Sequence, residues 1–256
     1  MNRGIYPILS GAIAQERQMQ AFAHNIANVN TTGFKQENAL FKSYVTRQMH
    51  VAPRAGSETL ASQMWTPGSP VAERVFVSPN GAKIVFDAGR FRPTGNPYDL
   101  AIQGPGFFEL KTPQGLRYTR DGVFHLDAKR KLVNEKGYPV MGQSGELKLP
   151  DGEVLIDGQG VIKVNNNPIG KLKILEFPET AMPLKVDEGV FGGSEGKVAK
   201  EPSVLSGALE DSNVNPLGEM VKMIQGMRSY ESAQKVIQSF DRMTEMAVND
   251  LGRVTA

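Results

Sequence analysis

The sequence predicts a mainly β central domain, a twisted antiparallel sheet or barrel, flanked by long N- and C-terminal amphipathic α-helices that pair in a coiled-coil-like layer. Three observations carry this. Apolar residues recur at steps of three and four at each end of the chain. Short apolar or alternating runs fill the middle, separated by turn dipeptides. The 27 Gly and 16 Pro among 256 residues exceed the usual combined share of about 12%, as a chain with many turns requires.

At the N-terminus Ile5, Ile8, Ala12, Gln15, Met19, Phe22, Ile26 and Val29 alternate steps of three and four, with Gln15 the one polar member. Such a narrow seam is typical of coiled coils and too slim for a helix sunk in a globular core. The run Asn28-Val29-Asn30-Thr31-Thr32-Gly33 ends it, with Gly33 suited to a left-handed cap and Phe34 to folding back on Val29. Residues 35–70 have weak periodicity and carry Pro53, Gly56, Pro67, Gly68 and Pro70. They are expected to form an extended connector with a short helical piece around Phe41 to Met49.

From 71 to 205 strands are expected at Val75–Val77, Ile84–Phe86, Phe107–Leu110, Val123–Leu126, Val154–Ile156, Val161–Val164 and Leu172–Phe177. Turn signals separate them at Asn80-Gly81, Asp121-Gly122, Lys136-Gly137, Asp151-Gly152 and Asp157-Gly158. The last helix is expected to start at Asn215-Pro216, since Pro suits the first helical position and Asn the cap before it. Its stripe runs Leu217, Met220, Ile224, Met227, Tyr230, Ala233, Ile237, Phe240, Thr244, Ala247 and Leu251, with a stammer of two three-residue steps at Tyr230. Gly218 and Gly226 are weak points within it. The expected divisions are an N-terminal helix over 1–34, the connector over 35–70, a β-rich outer domain over 71–205 and a C-terminal helix over 206–256. The C-terminal stripe is longer than its N-terminal counterpart can cover, and the excess argues for neighbouring copies.

Composition narrows the function. Lys and Arg total 29 against 27 Asp and Glu, a net charge of +2, so no global electrostatic footprint favours nucleic acid or an anionic membrane. The absence of Cys excludes disulfides, thiolate metal sites and cysteine nucleophiles. No run reaches the roughly 18 apolar residues of a membrane span, and the N-terminus lacks a secretory-signal pattern. His24, His50 and His125 are far apart in sequence and no H-E-x-x-H occurs. Gly104-Pro105-Gly106 lacks the third Gly of a dinucleotide loop and precedes a strand-like run. There is no G-K-[ST] and no G-x-S-x-G, and Asp-Gly pairs at Asp151 and Asp157 suit turns better than cation ligation. The expectation is a chain that is no enzyme, with no catalytic residue, cofactor, metal or small-molecule substrate.

Specific blocks carry a resemblance. His24-Asn25-Ile26-Ala27-Asn28-Val29-Asn30-Thr31-Thr32-Gly33-Phe34-Lys35 resembles the N-terminal signature of the bacterial flagellar rod and hook protein family. Asp99–Phe108 and Tyr118–Phe124 are similar to its central motifs, and Leu209–Asn215, Glu219–Ile224 and Arg228–Glu231 to its C-terminal signature. The departures are His24, where the family usually has Asn, Gly226-Met227 in place of a more helical pair, and Lys129-Arg130-Lys131 in a turn that usually carries Gly. Within the family, Tyr138–Gly142, Gly170–Ile174 and Pro202–Leu209 are most similar to the proximal-rod branch, with the distal-rod branch a close second.

The resemblance implies a structural axial subunit of the basal-body rod that transmits torque from motor to hook. It would lie in the periplasmic space, partnered by other rod subunits and exported by the flagellar type III apparatus without a cleaved signal. Family-motif residues carried over are Asn25, Asn28, Thr32, Gly33, Phe34, Lys35, Ser212, Asn213 and Val214. The implied assembly interface is the apolar members of the two helical stripes, Ile5 to Val29 and Leu217 to Leu251. A reading of another class is a secreted oligomeric β-domain that binds a ligand and uses its helices only to oligomerise.

Overall fold

A computed structural model describes residues 5–46, 74–178, 181–187, 189–193 and 196–253. The chain is mostly β, with one helix near each end: α1 (Ile5–Ala27) and α2 (Pro216–Arg253). The described residues divide into two compact units, one holding 24–36 with those of 84–219, the other 5–23, 37–46, 74–83 and 220–253.

The unit holding 84–219 is built of short strands, and every pairing whose register is described within it is antiparallel. Its first strands close with its last. β3 (Phe91–Pro93) pairs with β19 (Ala208–Glu210), setting Phe91 opposite Glu210, and β4 (Leu100–Ile102) pairs with β18 (Val204–Ser206). Between them lies a six-stranded sheet in the order β15 (Leu184–Asp187), β16 (Val190–Gly192), β6 (Gly115–Thr119), β5 (Phe107–Thr112), β14 (Ile174–Glu176), β17 (Lys197–Val198). A three-stranded sheet of β11 (Val154–Ile156), β12 (Val161–Val164) and β13 (Asn167–Lys171) and two small hairpins complete it. The hairpins are β7 (Phe124–Leu126) with β8 (Leu132–Asn134) and β9 (Met141–Gly142) with β10 (Gly145–Glu146).

The period-2 pattern explains the main core. Val154 and Ile156 point inward while Leu155 is exposed, and Ile162 and Val164 alternate with Lys163. These inward residues join Leu100, Phe108, Leu110, Phe124, Leu132 and Leu172 in one buried cluster. A second, aromatic cluster of Phe107, Tyr118, Phe177 and Phe191 packs edge to face at 4.8–5.6 Å between centroids.

Several local expectations are corrected. Residues 41–46 belong to strand β1 (Glu37–Thr46), which pairs with β2 (Arg74–Ile84), and not to a helix; residues 47–49 lie outside the described residues. Asn80-Gly81 sits within β2, with Gly81 at φ 92°, and makes no turn between strands. A turn that escaped the sequence reading, Asn165-Asn166, has φ of 51° and 68° and joins β12 to β13 as a two-residue hairpin loop. In Lys129-Arg130-Lys131, Arg130 takes the left-handed conformation at φ 61°. Its guanidinium offsets that strain by donating to the carbonyls of Leu149 and Pro150 at 3.1 and 2.6 Å.

Candidate functional site

With no cluster of three or more potential metal ligands among the described residues, the features that stand out are two: the faces of the helices, and the junction where α1 ends and α2 begins.

α1 stops at Ala27, earlier than expected. The Asn28 side chain donates to the His24 carbonyl at 3.0 Å beside the Asn28 N–H, which reaches the same oxygen at 3.2 Å, and so reinforces the last turn. Gly33 does have the left-handed backbone, at φ 65°, but it follows a series of turns and is no cap of α1. Its N–H donates to the Glu210 carbonyl at 2.8 Å, and a Cβ there would lie 2.4 Å from the Arg120 carbonyl carbon. Only Gly permits this approach. Phe34 packs edge-on against His24, with centroids 5.4 Å apart.

The next residues tie this turn to the β strands. Thr32 donates to Asp121 at 2.7 Å, and burial raises the Asp121 carboxyl above its usual range while that hydrogen bond opposes the shift. Lys35 is buried and its ammonium donates to Glu210 at 2.6 Å and to the Asp87 carbonyl at 2.9 Å. Arg120 approaches the other Glu210 oxygen at 3.4 Å, donates to the Gly104 carbonyl at 2.7 Å and lies over the Phe107 ring. Two buried cations thus share one carboxylate. Burial holds both Lys35 and Arg120 below their ordinary pKa values, with Glu210 pulling each back up.

Beside this trio lies an amide network. Gln36 N–H donates to the Asn213 side chain at 2.8 Å, and the Asn213 amide donates to the carbonyls of Val85 and Asp87. The buried Glu219 carboxylate accepts from Asn25 and from Gln36, each at 3.0 Å. α2 starts at Pro216 as expected, with the Asn215 side chain accepting from the Gly218 N–H at 3.2 Å. The Ser212 hydroxyl accepts from the Val214 N–H at 3.3 Å, and Val214 is buried. The structure therefore gathers the motif residues Asn25, Thr32, Gly33, Lys35 and Asn213 into a joined set of contacts. Arg120, Glu210, Glu219 and Gln36 were not named as site residues; the available signal was the place of the first three inside the blocks Tyr118–Phe124, Leu209–Asn215 and Glu219–Ile224.

The helices show two kinds of face. On α1, Ala12 and Phe22 are buried and Ile8, Met19 and Ile26 half-buried, as is Val29 just beyond the helix, whereas Tyr6 (57%), Leu9 and Ile13 are exposed. On α2 the more covered face runs Met223, Gly226, Tyr230, Ala233, Ile237, Phe240, at steps of three and four with no stammer. Leu217 (72%), Met220, Ile224 (52%) and Met227 lie exposed on another side. The side chains of Ile5, Ala247 and Leu251 lie outside the described ones. Gly226 serves close approach: a Cβ there would sit 3.2 Å from Met19 Cγ, and Lys222 lies over the Phe22 ring. A polar groove of about 370 Å³ runs past Gln15, Gln18, Phe22, Lys222, Gln225 and Ser229. No described helix is long and apolar enough to cross a membrane.

Comparison with known proteins covers these same segments. Residues 5–35 match the model of flagella basal body rod proteins, residues 101–167 the flagellar hook protein FlgE/F/G D1 domain, and residues 205–251 the flagellar basal body rod FlgEFG protein C-terminal region. The chain is similar to the flagellar basal-body rod protein FlgG of Borreliella burgdorferi, 31% identical over 97% of this chain and 98% of that one. It is equally similar to FlgF of Caulobacter vibrioides, 31% identical over 99% of this chain and all of its relative. FlgG of Bacillus subtilis is 29% identical over 97% and 99% of the two chains.

Proposed function

Since the chain belongs to the flagellar basal-body rod protein family, which is structural and not enzymatic, we infer that it is an axial subunit of the proximal rod. Its terminal helices would pair in a coiled-coil-like inner layer and its β domain would lie outside them. The observation that supports an assembly role is the apolar surface left on both helices: Tyr6, Leu9 and Ile13 on α1, and Leu217, Met220, Val221, Ile224 and Met227 on α2. A helical assembly that does not close needs one face for the chain's own packing and another for unlike contacts. Methionines on that second face adapt to non-identical neighbours. In this reading the neighbours are other rod subunits, the chain passes through the flagellar export apparatus without a cleaved signal, and the periplasmic rod carries torque to the hook.

Ile224→Asp tests the interface. A carboxylate buried against a neighbour without a partner costs several kcal/mol, so the variant should fold, stay out of isolated basal bodies and leave cells non-motile. Swimming cells with the variant in their rods would show that this face meets solvent.

Placement in the proximal rod rests on the resemblance at 138–142 and 202–209, since relatives at 31% identity carry both names. A proximal subunit meets unlike neighbours above and below, while a distal one adds repeatedly to its own kind. Concentrated purified protein, with and without seeds, should remain unpolymerised; long self-assembled tubes would move it to the distal rod.

A further inference from the structure

We propose that Glu219, through Asn25 and Gln36, couples the ordering of the end of α1 to that of the start of α2, so that loosening either one loosens the other. The proposal deepens the rod reading by linking the two helices that carry its assembly surface.

Glu219 lies in the first turns of α2, where a carboxylate is favoured by the helix dipole. It is only 1% exposed, and its two oxygens are met by side-chain amides from the other end of the chain: Asn25 in the last turn of α1 and Gln36 just beyond it, each at 3.0 Å. A carboxylate is buried at tolerable cost only where donors meet it. Before α1 has docked, those two amide donors are missing, so the buried carboxylate loses two of its partners and the first turns of α2 are held less firmly. Gly218 in that turn weakens the helix further. The reverse holds equally. Gln36 is itself held by Asn213, whose amide ties it to Val85 and Asp87, so the clasp joins three segments distant in sequence. If the end of α1 favours the start of α2 by some factor, the start of α2 favours the end of α1 by the same factor. A pair of helices that merely packed side by side would spread that coupling along their length and not concentrate it at one buried carboxylate.

Amide hydrogen exchange on the full chain, free in solution, tests this with Glu219→Ala, Asn25→Ala and the double variant. Each single change should speed exchange in both 22–29 and 217–224 by a common factor of about 10 to 100, the range for losing a hydrogen bond to a charged group. Exchange in β5, β6 and β12 should be unchanged, and the double variant should add little. Should a variant fail to fold, Glu219→Gln and Gln36→Ala give the milder versions, expected to loosen both segments together. Loosening confined to 217–224 in Glu219→Ala, or effects that multiply in the double variant, would overturn the coupling. Because the readout is on the free subunit, that failure would leave the rod assignment standing, and a failure of the Ile224→Asp experiment would leave the clasp standing.

Discussion

Glu210 is the residue on which most of the junction's charge depends. Its carboxylate meets Lys35 at 2.6 Å and Arg120 at 3.4 Å and also accepts from the Gly89 N–H at 2.9 Å, all within buried surroundings. A buried pair replaced whole by apolar groups can be neutral, but removing one partner strands the rest. Glu210→Gln leaves two buried cations without compensation and should cost about 3–5 kcal/mol, read as an earlier urea midpoint with the slope unchanged. An unchanged midpoint would mean that the carbonyls of Asp87, Ile102 and Gly104 suffice to hold the cations. The motif residues Asn25, Thr32, Gly33 and Lys35 were named through the resemblance of the block His24–Lys35 to a family signature. Their partners were not. Asp121, Glu210 and Glu219 stand 89, 175 and 194 residues away from theirs, and no local period reports a contact at that separation.

The helices were foreseen as elements, and along α2 the stripe traced from the sequence passes from the exposed side to the covered one at Tyr230. Pro216 after Asn215 marked the start of α2 correctly, because a cap and a ring-locked first position act locally. Upstream of Tyr230 the apolar residues occupy two sides of the helix, so a stripe traced through Leu217, Met220, Ile224 and Met227 follows the exposed side, while Gly226 marks the covered one. A Gly counted as a weak point is thus a contact position. Gly226→Ala gains helix propensity of about 1 kcal/mol and asks Met19, a flexible thioether, to yield a few tenths of an ångström. Its stability should therefore change little or rise. Gly226→Leu should lose about 1–3 kcal/mol by overpacking. Urea unfolding of both variants checks the contrast, and equal stability of the two would place α1 away from this position. Among the strands, β13 went unseen because Asn-Asn is a weaker hairpin signal than Asn-Gly. Residues 41–46 read as helical because a six-residue apolar and polar mixture fits either period.

At the scale of the whole molecule, a rod subunit must keep apolar helix surface available for neighbours and yet remain unassembled until it reaches them. The exposed residues of α1 and α2 meet the first requirement, and the clasp at Glu219 ties the end of one helix to the start of the other. Because the chain has no Cys, single cysteines can report on each face without background. The most direct measurement is thiol labelling of Ile224→Cys and Met227→Cys in the free subunit and in isolated basal bodies, with Ala233→Cys on the more covered face as reference. Assembly into a rod through the outer helix face predicts that Ile224→Cys and Met227→Cys label readily in the free subunit and become protected in the basal body. Equal labelling of both positions before and after assembly would contradict it.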